Sequence, residues 1–169
     1  MADVIGLNRS PAYLVLGAAL SLLPFNTVQA QFCWDCYQPR TLRSLIDSFV
    51  PEESLGDSGV VYRGNDHPSR VLVTYTGKKR PISALRSQFI HDYYGKVLRL
   101  PLATKFDEDL LFLEDDVEYW LPVQSQVVPY FGRELKPGDR VWLFIVWPGG
   151  TVRSQKPDWI FLVNEFRTP

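Results

Sequence analysis

The chain has 169 residues, a formal net charge of −1 and 14% aromatic residues. Its 18 basic and 19 acidic side chains nearly cancel, which gives no support for general nucleic-acid binding. An apolar content of 46% argues against a largely disordered chain, and thirteen prolines with eleven glycines favour short strands over long helices.

Residues 1–30 read as a secretory signal peptide. A short polar lead with Arg9 precedes an apolar run from Ala12 to Phe25, and Val28-Gln29-Ala30 supplies a small-residue exit. The run is 14 residues long, against the roughly 20 needed to span a hydrocarbon core as a helix. Cleavage after Ala30 is therefore expected, with an uncleaved signal anchor as the alternative. The expected product is exported, periplasmic or extracellular, and soluble, with no further spanning segment. Residues 31–54 form a cysteine-containing lead with a short helix, and 55–169 a single β-rich domain.

Thr41 is placed to cap a helix carrying Leu42, Leu45, Ile46 and Phe49 on one face, ended by Pro51. Residues 52–59 read as a loop. Val60 to Tyr62 and Val71 to Tyr75 read as strands around the turn cluster Gly64 to Pro68. A second helix is expected from Ile82 to Tyr94, with Ile82, Leu85, Phe89, Ile90 and Tyr93 on its apolar face and Gly95 as its cap. Val97 to Leu100 then reads as a strand stopped by Pro101. Leu110 to Leu113 and Val117 to Val123 read as a hairpin closed by Asp115-Asp116. The turn Lys136 to Asp139 leads into Val141 to Trp147, and Pro148-Gly149-Gly150 into a last strand, Trp159 to Val163. The pattern predicts an α+β, β-rich fold: a small antiparallel barrel or sandwich with one or two short helices on its N-terminal side.

Val141 to Trp147 is apolar at every position, so both faces of this strand need a cover. Either a helix or loop packs outside it, or Trp142 and Trp147 present an aromatic surface to a partner.

Cys33 and Cys36 form a CxxC pair. Two thiolates make half a zinc site at most, and no strand and helix N-terminus frame them as in thiol oxidoreductases. In an oxidising compartment the expectation is a small disulfide, with a redox pair and free thiols as the other readings. His67 and His91 read as structural residues, and no metal or cofactor motif is present. From Arg70 to Arg99 seven basic side chains face one acid, and from Lys105 to Glu118 seven acids face one lysine. The two runs either pair with each other or form a basic face and an acidic hairpin, and the basic candidates for binding are Lys78, Lys79 and Arg80.

Gly56-Asp57-Ser58-Gly59 resembles the surround of the catalytic serine in chymotrypsin-like proteases, a likeness confined to four residues. Val60 stands where that family continues with glycine, and both histidines follow Ser58. Leu135 to Val141 (Leu-Lys-Pro-Gly-Asp-Arg-Val), leading into an apolar strand, is similar to SH3-like and OB-like small barrels, which implies fold only. The expectation is an exported, non-enzymatic β-rich module binding a protein or a cell-envelope component. A small envelope enzyme, either a CxxC thiol oxidoreductase or a hydrolase using His67 or His91, is the alternative.

Overall fold

Alternating apolar residues on long strands account for most of the architecture. The computed structural model describes residues 33–48, 58–62, 68–101 and 104–169. The predicted signal segment, the loop up to Asp57 and the turn bearing His67 lie outside these residues. Those described belong to one compact unit, Cys33–Pro169. Its strands are β1 (Gln38–Pro39), β2 (Ser58–Tyr62), β3 (Ser69–Pro81), β4 (Glu108–Glu114), β5 (Val117–Val123), β6 (Arg140–Arg153) and β7 (Lys156–Arg167). Among the described residues they are accompanied by the short α-helices α1 (Leu42–Asp47), α2 (Ala84–Asp92) and α3 (Val128–Glu134).

The result is a β-rich α+β fold with one seven-stranded sheet, in the order β1-β3-β4-β5-β7-β6-β2. Because β3 also pairs with β6, the ladder β3-β4-β5-β7-β6 returns to its first strand. The sequence β6-β3-β4-β5 follows Greek-key order. Pairing is antiparallel except between β1 and β3 and between β5 and β7.

One face of each of the strands β3 to β7 fills the main core. Val71, Val73 and Tyr75 of β3 meet Leu110 and Phe112 of β4, Leu121 and Val123 of β5, Val141, Leu143, Ile145 and Trp147 of β6, and Phe161 and Val163 of β7. Leu42 and Leu45 of α1 enter this core, as do Val127, Phe131 and Leu135 around α3. Thr41 caps α1 as the sequence predicts, its side chain accepting from the Ser44 amide. A smaller cluster lies on the other side of β7, where Phe89 and Ile90 of α2 pack on Ile160 and Leu162.

Several elements differ from the expectation. α2 does not stop at Gly95: the chain passes through a π-turn, Tyr93–Val97, with the Leu98 amide donating to the Tyr93 carbonyl. Val97 to Leu100 is therefore not a strand. On α2 the buried side includes Arg86, while Leu85 is 43% exposed. Pro148-Gly149-Gly150 is not a turn either. β6 continues through it with a register shift, and the reversal falls at Ser154-Gln155, both at positive φ. β3 runs past Tyr75 to Pro81 by way of a bulge. α3 has no counterpart among the predicted elements, although Val127, Phe131 and Leu135 recur at helical spacing and Pro129 occupies its first turn.

Candidate functional site

The basic triplet at the end of β3 does not form one patch, because neighbouring residues on a strand point to opposite faces. Lys79 turns to the same side as Leu110 and pairs with Glu108 at 2.9 Å. Arg80 turns to the other side, its guanidinium bonding Asp109 at 3.1 Å and lying 4.3 Å over the Trp120 ring. Lys78 sits exposed in the bulge, its amide held by the Thr76 hydroxyl. Lys79–Glu108 and Arg80–Asp109 thus join the two runs across the antiparallel β3–β4 ladder, while Lys78 is left out of it.

Behind Arg80, Arg86 and Asp109 are buried, while the Asp158 side chain is half-exposed. Arg86 is 6% exposed and donates to Asp109 at 3.0 Å, to the Trp120 carbonyl at 2.8 Å and to both oxygens of Asp158. Burial alone would lower the Arg86 pKa, but the Asp158 hydrogen bond and the charges of Asp109 and Asp158 raise it overall. This cluster ties α2, β4, β5 and the start of β7 together. Glu114, from the acidic run, serves a different element. Its two oxygens accept from the Leu42 and Arg43 amides at 2.7 and 2.9 Å, at the N-terminus of α1.

Beside Lys79 opens a cleft of about 610 Å³ between the β3 bulge and α3, lined by Tyr75, Leu110 and Val128 among others. Ser125 in its wall donates to Asp107 at 2.7 Å. A serine held by a carboxylate has no imidazole to take its proton, so the pair is not a nucleophile and base.

Trp142 and Trp147 separate by the same alternation that splits the triplet. Trp147 is 2% exposed, faces the core and donates its indole N–H to the Gly149 carbonyl; it offers no ring to a partner. Trp142 is half-buried on the outer face with the Arg70 guanidinium 5.6 Å over its ring. In the ladder it stands opposite Leu72 of β3, seven residues from Lys79. That is roughly 23 Å of strand, so Trp142 and the basic triplet are not brought together.

Sequence reasoning missed the cations that Trp142 does meet. Arg140 shares its side of β6, Arg70 lies next to it on β3, and Arg167 stands directly opposite it on β7. Arg140 and Arg167 are exposed and Arg70 half-buried, and none of the three forms an ion pair among the described residues. Glu165, on the same face of β7, accepts from the Phe166 amide. The Nε of Arg70 is buried without a hydrogen-bond partner, as is Oδ1 of Asp109. Register was the missing information: the three arginines lie 27 to 97 residues apart in sequence.

The cysteine-containing lead covers the rest of this face. Cys33 and Cys36 form a disulfide around the 3-10 turn Trp34–Cys36. Trp34 and Tyr37 meet Phe144 edge-on at 4.5 and 5.2 Å, and Arg167 lies 5.9 Å from the Trp34 ring. Asn164 donates to the Tyr37 hydroxyl at 3.4 Å. On the outward side of the all-apolar strand the loop thus covers Phe144, while Trp142 stays half-buried.

The remaining candidates do not converge among the described residues. Ser58 lies on β2 opposite Arg153, and His91 is exposed on α2 beside Lys105 and Asp107. Gly56, Asp57 and His67 are outside those residues. Among the described residues no cluster of three or more His, Cys, Asp or Glu is arranged for a metal, and no helix is long and apolar enough to cross a membrane. Comparisons with protein-family models, curated proteins and solved structures give no match.

Proposed function

We propose that this chain is an exported, non-enzymatic OB-like module that binds an anionic cell-envelope component through the outer face of β3, β6 and β7. The barrel reading is supported by the five-strand ring, its Greek-key order and the helix α3 between β5 and β6. An SH3-like reading fits less well, because β5 and β7 pair in parallel. Export is supported by the signal pattern of residues 1–30.

The observation that carries the binding reading is the set Arg70, Arg140 and Arg167 around Trp142. Among the described residues, Lys79, Arg80, Arg86, Arg43 and Lys96 each hold a carboxylate, whereas these three arginines do not and are gathered on one face around an indole ring. All three are arginine, whose planar fork grips phosphate or carboxylate with two parallel bonds. Stacking on a tryptophan holds such a fork ready without neutralising it.

The test is co-sedimentation of the purified chain with envelope fractions at several salt concentrations. Arg70→Ala with Arg167→Ala should weaken capture at least tenfold, since each charged hydrogen bond contributes about 1.5–3 kcal/mol. Capture should also fall steeply as salt rises. Lys79→Ala, on the other side of the sheet, should leave it unchanged. Equal capture by the double variant would refute the reading. Export is checked separately by N-terminal sequencing of the mature chain, which should begin at Gln31.

A further inference from the structure

The disulfide turn is a distinct feature with its own chemistry. Both cysteines are exposed, so an incoming thiolate has access to either sulfur. No helix N-terminus stands behind them: the turn spans three residues, Trp34–Cys36, and α1 begins only at Leu42. The pair therefore lacks the activation of an attacking thiol, while remaining open to attack. What the bond restrains is specific. It closes the turn in which the Cys36 amide donates to the Cys33 carbonyl, and that turn sets the Trp34 ring against Phe144. Beyond Tyr37 the lead is held by other means, with the Gln38 amide on the Pro68 carbonyl and the Arg40 amide on the Arg70 carbonyl. The main core makes no use of Trp34 or either cysteine.

We infer that Cys33–Cys36 is a thiol-exchange site, a substrate for a dithiol protein, and that its reduction unlatches Trp34 from Phe144 while the domain stays folded. The partner's thiolate attacks one sulfur, forming a mixed disulfide and expelling the other cysteine as a thiolate. The partner's second thiol then resolves the mixed disulfide. Two electrons and two protons pass from the dithiol to the cysteines, leaving two thiols here and a disulfide on the partner. Unlatching uncovers the edge of Phe144 that Trp34 covers, with Tyr37 still in place, and removes the ring beside Arg167, so the redox state alters the arginine face. That last consequence rests on the binding proposed above.

The experiment uses the full oxidised chain, labelled for NMR and treated with dithiothreitol or a reduced thioredoxin-class dithiol protein. Two thiols per chain should titrate under native conditions. The Trp34 indole N–H should move toward its random-coil position, while the Trp147 indole N–H, buried in the core, should not. Thiols that appear only on unfolding, or a Trp34 signal unmoved after both thiols have titrated, would overturn the inference. Cys33→Ser with Cys36→Ser should reproduce the reduced spectrum, and the reduced wild-type chain serves if that variant does not fold. Neither readout involves the envelope component, so a failed latch and a failed binding face are distinguished.

Discussion

Arg86 shows how much one side chain in this fold decides. Its guanidinium is nearly out of water, and only the carboxylates of Asp109 and Asp158 with the Trp120 carbonyl make that tolerable. A buried charge left wholly unpaired typically costs about 3–5 kcal/mol. Arg86→Ala leaves the fully buried Asp109 with Arg80 alone and the half-exposed Asp158 to solvent. It should therefore lower unfolding stability by about 3 kcal/mol, the low end of that range, measured as a shift of the urea midpoint. Arg80→Ala, whose side chain is 45% exposed, should cost about 1 kcal/mol or less, because solvent already screens that pair. The sequence does not distinguish these two arginines, since both stand in the same basic run. The difference comes from Arg80 sitting at the rim of a strand and Arg86 on the inner side of a helix. The same holds for the acids: Glu114 and Asp109 are buried while Glu118 is exposed, although all belong to one stretch of charge. Composition along the chain reports that charges compensate, and only register assigns which ones.

Elements built on strict alternation or on a capping side chain were legible in the sequence. The β4–β5 hairpin with Asp115 and Asp116 at positive φ, α1 with its Thr41 cap, and the Gly138 turn into β6 follow their local chemistry. Glycine away from those settings misled. Gly95 continues a helix as a π-turn, and Gly149 serves a close approach inside a long strand. At Gly149, φ is +124°, and a Cβ would lie 1.9 Å from the Val61 carbonyl oxygen of β2. No flexible side chain is in the way there; the obstacle is backbone. Gly149→Ala should therefore push β2 off the edge of β6, at a cost of roughly 2–4 kcal/mol for strain and displacement. Hydrogen exchange should show loss of protection confined to Ser58–Tyr62 and the facing part of β6. Gly132→Ala, where nothing lies within 4 Å, is the matched control and should leave exchange unchanged. Long-range backbone contact of this kind leaves no local signature, which is why Pro148-Gly149-Gly150 reads as a turn.

At the scale of the whole molecule, the sequence announces a β-rich core rich in aromatics, and the structure shows where their polar ends lie. Tyr37, Tyr75, Tyr94 and Tyr119 all have pKa values raised above the ordinary 10.0, in each case chiefly by burial. For Tyr37 the hydrogen bond from Asn164 works the other way and only partly offsets burial, while Glu165 adds to the rise. A tyrosine whose pKa is higher in the folded than in the unfolded chain binds its proton more tightly when folded. Its stabilising contribution is complete below pH 10 and is lost as pH rises through the folded value. Stability should hold from neutral pH to about 10 on this account and then fall as several buried phenols are forced to ionise together. Urea midpoints at pH 8, 10 and 11.5 measure this, with tyrosinate absorbance at 295 nm recording the ionisation. Tyr75 is the sharpest single case, being 7% exposed and wedged between Phe112 and Phe131. Tyr75→Phe should retain the packing, remove one titrating group and make the alkaline fall shallower. An unchanged slope in that variant would place the alkaline sensitivity in the other tyrosines. A midpoint flat through pH 11.5 would show that none of these hydroxyls is desolvated as the fold requires.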